Sequence, residues 1–170
     1  FLEKINIQFS FESDSLLDTG GGIKKGIKMI SSNPFFILNS DTIRVDNEIN
    51  IMEEMVSQWN PKIMDFLLLL FPVEKAKHYS GSGDFHINKH NQISRVEGSN
   101  INKFIYAGLC LASTDKFFKI QENIFSINRL WDDSIKKKKL YGLVHTGYWL
   151  HVGTPDELLH AEKKLNELQS

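Results

Sequence analysis

The chain predicts a three-layer α/β fold with a mostly parallel central sheet and a hairpin insertion, and three observations carry that reading. Strand-like and helix-like segments alternate through the first half, the pattern of helices layered on a sheet. Met64 to Phe71 is a near-continuous apolar run of the kind a sheet buries on both faces. Asp84 to Ile87 and Ile93 to Val96 flank His90-Asn91, which predicts a hairpin. A length of 170 residues suits one domain, residues 1–170, with a substantial core.

The elements follow in order. Ile5 to Phe11 alternates apolar and polar residues and reads as a strand. Gly20 to Ile30 reads as a helix with Ile23, Ile27 and Ile30 on one face. After Pro34, Phe35 to Leu38 is a short apolar strand. Asn47 to Trp59 is a second helix, ended by Pro61, and Met64 to Phe71 is the buried strand. Lys75 to Gly83 reads as a loop, and Lys103 to Leu111 as a strand with Gly108 inside it, a mark of close approach by another group. Ser113 to Phe118 and Ser126 to Lys136 read as helices. Leu140 to Val144 and Tyr148 to Val152 flank Thr146-Gly147 and predict a second hairpin. Thr154 as N-cap and Pro155 at the first helical position open a closing helix to Leu168.

The bulk numbers exclude several classes. The composition, 41% hydrophobic and 24% charged, is that of an ordinary globular domain. A net charge of −1 gives no drive toward nucleic acid or an anionic membrane. The run Lys136 to Lys139 is local and closes a helix, where cations suit the dipole. Met64 to Val73 is too short to span a bilayer, and no signal-peptide pattern is visible in these residues. The single cysteine, Cys110, sits in an apolar strand and fits a reducing, cytoplasmic setting.

Two motifs carry chemistry. Leu16-Leu17-Asp18-Thr19-Gly20-Gly21-Gly22 places a triple glycine where a helix opens. Backbone without Cβ approaches a ligand closely, and a helix N-terminus offers free N–H groups. Phe35 to Leu38 then runs into Asn39-Ser40-Asp41, an acid just past a strand, where open α/β sheets bind ligands. Together they suggest a site for a nucleotide and a divalent metal. The alternative is a tight strand-to-helix turn and a surface acid. The five histidines other than His151 show no structural-zinc spacing, and Asp132-Asp133 point about 100° apart on a helix, which argues against a paired-carboxylate site.

In series, LDTGGGIKKG, FFILNSD, WNPKIMDFLLLLFP, GSGDFHINKHNQISR, FIYAGLCL, FSINRLWDD and LYGLVHTGYWLHVGTP resemble the sugar-1-phosphate nucleotidyltransferases, nearest to the N-acetylmuramate α-1-phosphate uridylyltransferase-like group and related to mannose-1-phosphate guanylyltransferases. The resemblance covers nearly the whole chain. It implies a Rossmann-like nucleotidyltransferase domain that joins a sugar 1-phosphate to a nucleoside triphosphate and releases pyrophosphate. It also implies that Thr19, Gly20, Gly21 and Gly22 lie against the nucleotide base and ribose, with Asn39 nearby. Asp41 would be the metal-binding catalytic acid for Mg²⁺, with Mn²⁺ an acceptable substitute. Gly83, Asp84, Tyr106, Gly108 and Asn128 would border the sugar.

This sequence departs from the family twice. The resemblance implies a preceding strand and Gly-rich loop that wraps the triphosphate; Phe1 to Phe11 do not supply it, so the 170 residues read as the larger C-terminal part of a catalytic domain, inactive by themselves. His151 stands where many relatives have an acid before Val-Gly-Thr-Pro. An imidazole there could ligate Mn²⁺ or Zn²⁺, contact a phosphate, or only pack. The expected substrates are UTP and N-acetylmuramate 1-phosphate. GTP with mannose 1-phosphate is the alternative, and a non-catalytic sugar-nucleotide-binding module is the alternative of another class. The expected state is a monomer or weak homo-oligomer, with no nucleic-acid or membrane partner.

Overall fold

The computed structural model describes residues 6–77, 79–98 and 102–169. Ile5, which opens the expected first strand, and His78 lie outside them. The elements are α1 (Asp18–Gly26), β1 (Phe35–Leu38), β2 (Thr42–Val45), α2 (Ile51–Gln58), β3 (Phe66–Pro72), β4 (Phe85–Ile87), β5 (Ile93–Arg95), β6 (Phe104–Ala112), α3 (Asp115–Phe118), α4 (Asn128–Lys136), β7 (Leu140–Val144), β8 (Tyr148–His151) and α5 (Pro155–Gln169).

The α/β class stands, built on a mixed sheet. Its order is β5-β4-β6-β3-β7, with β1 also on β6. β3 runs parallel to β7, and β6 runs antiparallel to β1, β3 and β4. Period-two alternation divides the core. Phe66, Leu68 and Leu70 of β3 and Cys110 and Ala112 of β6 pack toward α3 and α4 with Phe117, Leu130 and Trp131. Leu67, Leu69 and Phe71 with Ile105, Ala107, Leu109 and Leu111 pack on the other face, against Ile51 and Met55 of α2. Each fully buried Leu or Phe on these strands contributes about 1.5–3 kcal/mol relative to exposure.

Local chemistry sets the boundaries. Asn50 caps α2 by accepting from the backbone N–H of Met52 and Glu53, and Asp46 accepts from Ile51, so the helix starts later than the expected Asn47. Asn91, at φ 60°, turns the β4–β5 hairpin as expected. Two expectations fail. Residues 6–11 join no strand, and Ile7, Phe9 and Phe11 stay exposed. The second hairpin does not form: β7 pairs with β3, while β8 pairs with β2 in a separate two-stranded ribbon. The reason lies at the turn. The His145 N–H donates to Leu70 and holds β7 on the sheet, while Gly147 packs so tightly on the Val45 carbonyl that a Cβ would lie 2.1 Å from it, which draws β8 to β2.

Candidate functional site

The site grows from a gap along one edge of β6. The C-terminal part of β6 pairs with β1 (Leu38 opposite Leu109) and its N-terminal end pairs with β4 (Phe104 opposite Phe85). Between these partners the edge is bridged by Asn39, whose N–H donates to the Gly108 carbonyl at 2.8 Å, and by Asp84, whose carboxylate accepts from the Tyr106 N–H at 2.9 Å. The gap opens because β6 bulges there: the β3 register slips between Leu68 and Leu70. Gly108, at φ 75°, forms the bulge, and a Cβ on it would lie 2.4 Å from Thr42 Oγ1.

The ribbon closes the gap from above. Thr42 faces His151 and Arg44 faces Trp149 across it. The Trp149 indole N–H donates to the Ala107 carbonyl at 3.2 Å, anchoring the ribbon to β6. The result is a cavity of about 320 Å³. Of the residues expected at the site, Thr19, Asn39, Asp41, Asp84, Tyr106, Asn128 and His151 line it. Gly20 and Gly21 do not. Their missing side chains make room for the segment 123–125: a Cβ on Gly20 would meet the Phe125 ring at 2.5 Å, and one on Gly21 the Asn123 carbonyl at 2.0 Å. Gly22 is half-buried beside Glu12, and Gly83, at φ 90°, packs on Val73 and Lys103.

Asp41 lies three residues past the end of β1, and its side chain is half exposed. His151 Nε2 lies 3.7 Å from Asp41 Oδ2, while Nδ1 lies 3.0 Å from Glu157 Oε2. Thr154 Oγ1 donates to the same Glu157 oxygen. The His151 ring beside it holds the Glu157 carboxyl below its ordinary value. Trp149 stacks on His151 and Tyr79 meets it edge-on, so the ring is held on several sides. Asp84 keeps an oxygen for a ligand beside the one given to Tyr106.

Arg95 was not foreseen. It is the sole lysine or arginine among the described residues lining the cavity. Its guanidinium sits over Phe85, bonds Asp132 at 2.8 Å and donates to Asn128 Oδ1 at 2.7 Å. Its only sequence signal is its place two residues after Ile93 in the hairpin. Asp132 and Asp133 diverge as expected, Asp132 to Arg95 and Asp133 to Lys137. The Tyr106 hydroxyl is buried against Trp131, and burial pushes its pKa well up.

Among the described residues no group of three or more His, Cys, Asp or Glu could hold a metal ion. The donor set around Asp41 fits a hard cation only as a shared site, with one carboxylate from the protein and the other oxygens from ligand phosphates and water.

The α/β fold with its cleft beside β1 and β6 has counterparts among solved structures. HddC from Yersinia pseudotuberculosis, in its complex with GMP-PN, superimposes with a TM-score of 0.68 at 21% identity, over 90% of this chain and 64% of that one. An apo UDP-glucose pyrophosphorylase superimposes with a TM-score of 0.68 at 16% identity, over 92% of this chain and 63% of that one. No family model matches the chain. The N-acetylmuramate alpha-1-phosphate uridylyltransferase of Caulobacter vibrioides is 26% identical over 161 residues, 95% of this chain and 66% of that protein. The D-glycero-alpha-D-manno-heptose 1-phosphate guanylyltransferase of Aneurinibacillus thermoaerophilus is 25% identical over 168 residues, 95% of this chain and 68% of that protein. In sequence the chain is similar to these sugar-1-phosphate nucleotidyltransferases, and in fold to HddC and UDP-glucose pyrophosphorylase. It spans about two thirds of the length of these relatives. No helix among the described residues is long and apolar enough to cross a membrane.

Proposed function

We propose that the protein transfers a nucleotidyl group from a nucleoside triphosphate to a sugar 1-phosphate, with UTP and N-acetylmuramate 1-phosphate as substrates. The observation that carries this reading is the convergence of Thr19, Asp41, Asp84 and Arg95 on one cavity at the β1 end. The sugar's phosphate oxygen attacks the α-phosphorus of UTP. A P–O bond forms there, the bond to the β-phosphate bridging oxygen breaks, and pyrophosphate leaves with the electron pair. No covalent enzyme intermediate is required, so catalysis is positioning and charge neutralisation.

Asp41 would hold Mg²⁺ together with the phosphates, and the ion when bound would offset their charge. Thr19 would border the base and ribose, beside the backbone of Gly20 to Gly22. Asp84 would accept from sugar hydroxyls, Tyr106 would form the floor beside the Gly108 bulge, and Asn128 would keep Arg95 turned toward the anionic end of the substrate. His151, held by Glu157 and Asp41, would keep the Asp41 carboxylate facing the cavity.

The test is pyrophosphate release by the full-length protein with Mg²⁺, crossing UTP and GTP with N-acetylmuramate 1-phosphate and mannose 1-phosphate. Turnover with the first pair is expected, and Asp41→Asn should lower it about a hundredfold or more. Silence in every combination from a folded protein would sink the reading. The guanylyltransferase relative supports a second version of the same chemistry, GTP with a manno-configured sugar 1-phosphate, and a preference for GTP in that grid would select it.

A further inference from the structure

A second cavity, of about 480 Å³, lies on the other side of the Trp149–His151 wall, between β8, the segment after β3 and α5. Its charge is unlike that of the first. Lys75 and Lys77 line it from one side, and Lys163 and Lys164 from α5 on the other. The lining acids are Glu157 and Glu167. Glu157 is already engaged by His151 and Thr154, and Glu167 lies 3.4 Å from Lys164. Lys75, Lys77 and Lys163 therefore have no carboxylate within ion-pair distance among the described residues. A chain whose net charge is −1 thus gathers cations from two distant segments around one hollow. Such a gathering costs self-repulsion that an anion relieves.

The floor is aromatic. Phe71 stacks on Trp149 at 5.7 Å, and the Lys164 ammonium sits 4.8 Å above the half-exposed Tyr148 ring. Lysines on opposite walls, each a flexible point charge, match a ligand carrying charge on more than one centre better than a single planar carboxylate.

We propose that this cavity is a binding site for an oligophosphate, separate from the site beside Asp41 and independent of the reaction read there. The oligophosphate could be free, as pyrophosphate, or the tail of a nucleotide. Amide ¹H–¹⁵N spectra of the full-length protein, titrated with inorganic pyrophosphate, orthophosphate and UDP, test it. Saturable pyrophosphate shifts at residues 75–77, 147–149 and 160–164 are expected, with orthophosphate binding about tenfold weaker. The double variant Lys75→Glu/Lys163→Glu should weaken pyrophosphate binding about tenfold or more, and Lys75→Gln/Lys163→Gln serves if charge reversal disturbs the fold. UDP shifts that extend to the Tyr148 amide would assign the group to a nucleotide, and shifts from pyrophosphate alone would assign it to the free anion. No saturable shift in these segments, orthophosphate binding as tight as pyrophosphate, or binding that survives both double variants would overturn the proposal.

Discussion

Gly108 joins two constraints in one residue. Its φ of 75° is a conformation that side chains disfavour, and its vacant Cβ position is filled by Thr42 and Asn39. Gly108→Ala should cost about 1–3 kcal/mol in chemical denaturation and lift the ribbon, with a disproportionate loss of turnover; a variant as stable and active as the parent would remove the bulge from the account. Tyr106 gives a pH signature. Burial raises its phenol well above the ordinary value of 10.0, so above that value the unfolded chain has lost a proton that the folded chain retains. Its stability contribution is complete below pH 10.0 and falls as pH rises through the folded-state value. Tyr106→Phe should flatten the loss of Tm between neutral and strongly alkaline pH. An unchanged alkaline slope would contradict this.

At the scale of elements, Asp65 ties helices to the sheet. It is 3% exposed, yet it pairs with Lys116 of α3 at 2.7 Å and accepts from Ser134 of α4. Asp65→Ala should destabilise by about 2–4 kcal/mol, because it strands a partly buried ammonium, whereas the exposed pair Lys137–Asp133 should be worth less than about 1 kcal/mol. Urea midpoints of the two deletions would rank them. Sequence showed where elements lie better than what they pair with. β3 and β6 were legible as continuous apolar runs because both of their faces are buried. The ribbon was not: Thr146-Gly147 has turn chemistry, but the contact of Gly147 with Val45 joins residues far apart in the chain. The glycines of α1 were legible as a need for close approach, though Gly20 and Gly21 make room for Phe125 and Asn123. Asp41 was legible from its strand end, and Arg95 was hidden because a lone arginine on a short hairpin has no spacing to announce it.

For the whole molecule, the described surface carries an unpartnered apolar series. Ile7, Phe9 and Phe11 are 66%, 71% and 73% exposed, and Leu38 on β1 is 54% exposed. Such residues bind hydrophobic dyes. The 170-residue chain should enhance ANS fluorescence in its native state, and Phe9→Ser/Phe11→Ser should lower that signal without lowering Tm. Dye binding that ignores both substitutions would locate the apolar surface elsewhere.

The pairing of Thr42 with His151 imposes a parity rule on this protein's variation. Side chains change face at every step along a strand. A single-residue insertion in β8 before Trp149 would carry both Trp149 and His151 to the far side of the ribbon, leaving Asp41 and Glu157 without the ring between them. An insertion of two would restore the facing and shift only the pair. Length changes at this ribbon are therefore tolerated in even steps and silence the cleft in odd ones.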